Sequence, residues 1–190
     1  DHSSYKTIFA PLTRKLQLVY FDQRGQGRSA RGDPRQYTLD ENVEDMEALR
    51  RYLGLGPIVS IGLSYGGMVA MAHAARYPDS VSHLVLVVTA AHAGFIPLAR
   101  QIVAERGNAE QKSQCEDLFT GRIDTQEKMR HYYKVMGSLY ACKADPGLSE
   151  IGLKRAILSP EAMGQAFAPG GWMHSFDLRP ELPRITAPTL

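Results

Sequence analysis

Apolar positions along this 190-residue chain fall into two regimes. In the first half, short apolar runs alternate with amphipathic stretches. Leu16–Phe21, Ile58–Gly62 and Leu84–Val88 are rich in strand formers and bounded by glycine or polar turns, so each predicts a β-strand. Between the first two, Thr38-Leu39-Asp40-Glu41 has the spacing of a capping box. Leu39, Val43, Met46, Leu49 and Leu53 then recur at steps of four and three, which predicts a helix that Gly54 and Gly56 end. A second helix is predicted from Tyr65 to Tyr77, stopped by Pro78. Apolar strands alternating with helices predict a mostly parallel sheet with flanking helices, an α/β fold.

From about Ala93 to Arg179 the period turns helical. Phe119, Tyr132, Tyr133, Tyr140, Phe167, Trp172 and Phe176 are interspersed with charges, and no strand run interrupts them. This stretch reads as a helical cap inserted into the sheet domain. Pro180, Pro183 and Pro188 punctuate the return, and Ile185–Leu190 reads as the first half of another buried strand. The expected organisation is a core over 1–92, a helical cap over 93–179 and a return to the core over 180–190. The closing half-strand and the opening Asp1 mark the chain, on this reading, as an internal piece of a longer one.

Charge and composition remove several classes. The net charge is +2 with both signs spread along the chain, and there is no basic run interleaved with aromatics, so no nucleic-acid partner is expected. No stretch has the apolar length of a membrane span. Cys115 and Cys142 stand far apart in no metal-like spacing, which suits a reduced, cytoplasmic protein with no metal and no cofactor.

The chemistry is concentrated in Ile61-Gly62-Leu63-Ser64-Tyr65-Gly66-Gly67. A G-x-S-x-G between a strand and a helix is a nucleophile elbow: a tight, strained turn that exposes a serine hydroxyl at the strand's C-terminal end. Ser64 is the expected nucleophile. The backbone N–H of Tyr65 is the expected oxyanion donor at the helix N-terminus, its side chain being incidental to that role. Gly62 and Gly66 are expected to let strand and helix approach closely.

With these pieces placed, the chain resembles the α/β-hydrolase superfamily, and within it the proline iminopeptidase branch of serine aminopeptidases. The motifs are Phe21-Asp22-Gln23-Arg24-Gly25-Gln26-Gly27-Arg28-Ser29, similar to a D-Q-R-G-x-G-x-S loop, then Gly62–Gly67, and Asp177–Leu182 leading into Ile185–Leu190. The resemblance implies a serine hydrolase with a small-molecule or short-peptide substrate, cleaving an ester, an amide or an N-terminal peptide bond by acyl transfer. A general esterase or a carbon–carbon bond hydrolase on the same fold is an alternative, and a non-catalytic ligand-binding protein is another. It also implies that an H-G-G-P-G-like loop precedes Asp1 and that the acid and histidine of the triad follow Leu190. In the Asp22–Ser29 loop, Asp22 and Arg24 are expected to hold the loop together.

The six histidines of the chain are expected to be structural. His73 is too close to Ser64 in sequence to serve it. His83 lies at a strand's far end, and His131 and His174 lie in the cap. The resemblance puts His2 and His92 near the sheet's C-terminal edge. Glu105, Glu116, Glu150 and Glu161 read as solvated cap carboxylates.

Overall fold

Side-chain caps at Thr38 and Asn108 open two of the helices, and among the described residues each strand ends before a non-glycine residue of positive φ, Ser64 and Val88. The computed structural model describes residues 2–140 and 146–190, so Cys142 lies outside the described residues. In chain order the elements are α1 (Ser3–Phe9), α2 (Leu39–Tyr52), β1 (Ile58–Leu63), α3 (Tyr65–Arg76), β2 (Val81–Val87), α4 (Phe95–Arg106), α5 (Ala109–Phe119), α6 (Gln126–Tyr140), α7 (Pro146–Arg155) and α8 (Pro160–Phe167). No helix among the described residues is long and apolar enough to cross a membrane.

The elements form two compact units, one of Arg35–Ile96 with Gly170–Leu190 and one of Asp1–Pro34 with Pro97–Pro169. The first unit holds the sheet. Thr38 caps α2 by accepting the Glu41 N–H at 3.2 Å, and Gly54, at φ 64°, follows its end. β1 and β2 pair in parallel, with Ser60 opposite Leu84 and Leu63 opposite Val87. The closing segment extends this sheet. Leu84 donates to Pro188 O at 2.9 Å, and Leu190 donates back to Leu84 O at 2.9 Å, a parallel bridge on the far side of β2. Ala70, Ala74, Val81 and Leu84 form the core here, with Leu86, Ile185 and Ala187 packed on it. Burying such a cluster is the main favourable contribution to the unit, at about 25 cal/mol per Å² of apolar surface.

The second unit is helical. Asn108 and Gln111 make a reciprocal capping box at the start of α5. Cys115, Phe119, Ile123, Met129, Tyr132 and Met136 are buried. Phe119 meets Phe167 edge-on at 5.6 Å, and the hydroxyls of Tyr132 and Tyr140 lie 2.6 Å apart.

Two expectations are corrected. Leu16–Phe21 is not a strand: its residues have no regular secondary structure and join no ladder. A strand exists only through pairing of its N–H and C=O groups, and Leu16 and Val19 are exposed, so apolar content alone did not make one. The apolar face of α2 is also rotated from its expected position. It buries Leu39, Asn42, Val43 and Glu47, while Leu53 is exposed.

Candidate active site

β1 ends at Leu63 and α3 begins at Tyr65, so Ser64 alone makes the turn. Its backbone sits at φ 49° and ψ −120°, a region that an L side chain rarely occupies. Such strain costs on the order of 1–3 kcal/mol and persists only where the surroundings hold it. Here they do. Ser64 N–H donates to Val87 O at 2.9 Å, and Ser64 C=O accepts from Gly67 N–H at 2.9 Å and from Thr89 Oγ1 at 2.7 Å. The residue is exposed, and its hydroxyl makes no hydrogen bond among the described residues. The Tyr65 N–H is the first of α3 and so has no acceptor within the helix.

The glycines divide by function. A Cβ on Gly62 would stand 2.4 Å from Gly66 O and 2.5 Å from Gly67 Cα, so strand and helix could not approach with any side chain there. A Cβ on Gly67 would stand 2.5 Å from Thr89 Cβ. Gly66 has nothing within 4 Å of where its Cβ would be. The close packing expected of Gly62 and Gly66 is therefore met by Gly62 and Gly67. Sequence reasoning passed over Gly67 because it lies outside the five-residue pattern.

Tyr65 does more with its side chain than expected. Asn42 Nδ2 donates to its hydroxyl at 2.5 Å and to Thr38 O at 2.7 Å. The ring lies 5.6 Å from that of Trp172, whose Nε1 donates to Tyr37 O at 3.1 Å. Burial raises the phenol's pKa, partly offset by the Asn42 bond, so it stays neutral at ordinary pH. The elbow is thereby anchored to α2 and to the Trp172 segment.

Behind the elbow, α3 is locked to α2 by a buried polar cluster. His73 Nε2 lies 3.0 Å from Glu47 Oε2, and Arg50 and Arg51 reach Glu47 Oε1 at 2.8 and 2.7 Å. A neutral His73 donates through Nε2, and its Nδ1 is buried without a partner. A lone histidine and a lone glutamate on different helices carry no sequence signal that they meet.

No described histidine bonds Ser64. His92 Nδ1 accepts the Gly94 N–H at 3.0 Å, beside a backbone bridge to Asp177. Arg179 clamps Asp177 at 2.7 Å and draws its carboxyl down to about 2. His83 is an exposed residue of β2. In the helical unit, His131 lies 3.2 Å from Glu110. Glu116 accepts two bonds from Arg100 at 3.0 Å each, and Glu150 pairs with Lys154 at 2.9 Å. In the same unit Asp22 receives His2 N–H at 2.6 Å, His2 Nδ1 at 2.8 Å and Arg28 N–H at 2.9 Å. Burial raises the Asp22 pKa, but these donors outweigh it and the net shift is downward. Gly27 explains the loop's glycine: at φ 49°, its Cβ would fall 2.2 Å from Asp22 Oδ2.

Comparison with known proteins bears on this geometry. Residues 2–112 match the family described as the alpha/beta hydrolase fold. Proline iminopeptidase PfmaB of Pestalotiopsis fici is 28% identical over 197 aligned residues, covering 100% of this chain and 68% of that protein. Lipase LipV of Mycobacterium tuberculosis is 47% identical over 73 residues, covering 38% of this chain and 27% of that protein. The crystal structure of proline iminopeptidase from Mycobacterium smegmatis superposes with a TM-score of 0.71 at 19% identity, covering 99% of this chain and 67% of that one, a likeness of fold. The chain thus spans about two thirds of the length of the relatives that it matches throughout.

Proposed function

The chain belongs to the α/β-hydrolase fold family, and from that premise we propose that the protein is a serine hydrolase of proline iminopeptidase type with Ser64 as nucleophile. The observation that carries this is Ser64 itself, exposed at φ 49° between a parallel strand and a helix. Strain of this kind is retained where it serves a site. Similarity to an iminopeptidase along the whole chain supports the substrate class.

In the proposed reaction, Ser64 Oγ attacks the carbonyl carbon and its proton passes to an imidazole. The Oγ–C bond forms, and the C–N or C–O bond breaks as the imidazole returns the proton to the leaving group. Water, deprotonated by the same imidazole, attacks the acyl carbon and the Oγ–C bond breaks, regenerating the serine. The Tyr65 N–H stabilises the oxyanion in both halves.

The test is kinetic. The protein expressed from its complete coding sequence should hydrolyse L-proline p-nitroanilide, and Ser64→Ala should lose roughly 10⁴–10⁶ in kcat. Retention of turnover in Ser64→Ala would remove the proposal. The local identity to a lipase favours a second reading, an esterase. A p-nitrophenyl ester turned over with far higher kcat/KM than the anilide would select it.

A further inference from the structure

Thr89 follows β2 and lies outside the G-x-S-x-G motif, yet its side chain touches the elbow twice. Its hydroxyl donates to Ser64 O at 2.7 Å, and its Cβ, Oγ1 and Cγ2 fill the space that Gly67 leaves by having no side chain. We propose that Thr89 is a positioning residue for the oxyanion donor, acting through the Ser64–Tyr65 peptide. The inference rests on the reading of Ser64 as nucleophile.

The backbone around Thr89 is built for this contact. Among the described residues the non-glycine positions with positive φ are Ser64, at 49°, and Val88, at 44°. Val88 is β-branched and exposed, so neither its residue type nor burial favours that conformation. The kink follows Val87, whose carbonyl accepts the Ser64 N–H, and it leads directly to Thr89, whose hydroxyl donates to the Ser64 carbonyl. The end of β2 thus grips both polar backbone groups of the strained serine, and the strain at Val88 delivers one of the two grips.

The chemical consequence lies in the next peptide unit. The Ser64 carbonyl and the Tyr65 N–H belong to one amide. Two hydrogen bonds to that carbonyl, from Gly67 and Thr89, fix the amide plane and polarise it, which strengthens its N–H as a donor. A donor aimed at developing charge acts in the transition state rather than on the bound ground state. Losing the Thr89 hydroxyl should therefore lower the chemical rate constant and leave reagent binding alone.

A fluorophosphonate probe reads this without knowledge of the substrate. Ser64 Oγ attacks phosphorus, the Oγ–P bond forms, the P–F bond breaks, fluoride leaves and the serine proton passes to the base. With the full-length protein, the saturating rate constant for phosphonylation and the probe's half-saturation concentration are measured for wild type, Thr89→Val and Thr89→Ser. Thr89→Val should react on the order of tenfold more slowly at unchanged half-saturation. That loss is smaller than the 10²–10³ typical of deleting an oxyanion donor outright. Thr89→Ser should stay within about threefold of wild type, because it keeps the donor. Should Thr89→Val not fold, Thr89→Ala against Thr89→Ser makes the same comparison, since those two differ by the hydroxyl alone. A Thr89→Val rate equal to wild type, an equal loss in the serine variant, or a change confined to half-saturation would each overturn the role of Thr89 while leaving the nucleophile intact. A folded wild type that does not react would overturn both.

Discussion

His73 Nε2 lies 3.0 Å from Glu47 Oε2, and this buried contact joins the helix that carries the elbow to the helix that carries Asn42. Arg50 and Arg51 complete the pairing, so the Glu47 charge is satisfied where solvent does not reach it. Removing one member of a buried pair leaves its partner uncompensated, at a cost of about 3–5 kcal/mol. Glu47→Ala is expected to lose stability on that scale, read as a lower denaturant midpoint at unchanged slope. A loss under about 0.5 kcal/mol, the size of an exposed pair, would show that the cluster does not hold the helices together.

The same pair gives stability a pH dependence of definite sign. Burial, outweighing Glu47's opposing pull, holds His73 below its ordinary 6.5. The Arg50 hydrogen bond, against burial and with help from His73 and Arg51, holds Glu47 below its ordinary 4.5. Both folded pKa values are depressed, so the unfolded chain takes up protons first as pH falls. Stability is complete above about pH 6.5, declines from there as unfolded His73 protonates, and declines further below about 4.5 as Glu47 does. Each group contributes a slope of at most about 1.4 kcal/mol per pH unit. Unfolding titrations at pH 8, 6 and 5 should show the first decline, and His73→Gln should flatten it. Stability that rises from pH 8 to 5 would contradict the assignment.

Gly67→Ala and Gly66→Ala separate packing from motif. A methyl at Gly67 meets the Thr89 side chain at 2.5 Å, whereas one at Gly66 meets nothing within 4 Å. Overpacking of this kind costs about 1–3 kcal/mol. An alanine in an open helical position instead gains up to about 1 kcal/mol over glycine. Thermal melts should therefore move in opposite directions for the two variants, and equal shifts would mean that the elbow relaxes around either methyl.

Strain at Ser64 makes a fourth expectation. Glycine occupies φ 49° without penalty, so Ser64→Gly should be more stable than wild type by about 1 kcal/mol, a rise of about 2–4 °C in Tm. A variant that melts lower would show that Ser64 is not strained in the folded chain.

The elbow was legible in sequence because strand, glycine, serine and helix are adjacent there. β1, α3 and β2 were legible from their local apolar patterns, whereas Ile185–Leu190, expected as half of a buried strand, forms only a bridge from Thr189 to Leu84 and leaves Leu190 exposed. Leu16–Phe21 misled, since a strand-like run says nothing about whether a partner is present. Gly67 and Thr89 were missed for a related reason: one lies a residue beyond the motif, and the other reaches Ser64 across 25 positions. The rotation of α2 was hidden because Asn42 and Glu47 read as surface residues until Tyr65 and His73 supply their partners. Long-range polar contacts leave no periodic trace in a sequence.

The central claim, that Ser64 is an activated nucleophile, is tested most directly by mapping where a fluorophosphonate attaches. The full-length protein is treated with the probe, digested and sequenced by tandem mass spectrometry. The adduct is expected on Ser64 alone, within the peptide that spans β1 and α3, and it should vanish in Ser64→Ala while folding is retained. A folded protein that takes up no probe, or one modified at another residue with Ser64 untouched, would contradict the account.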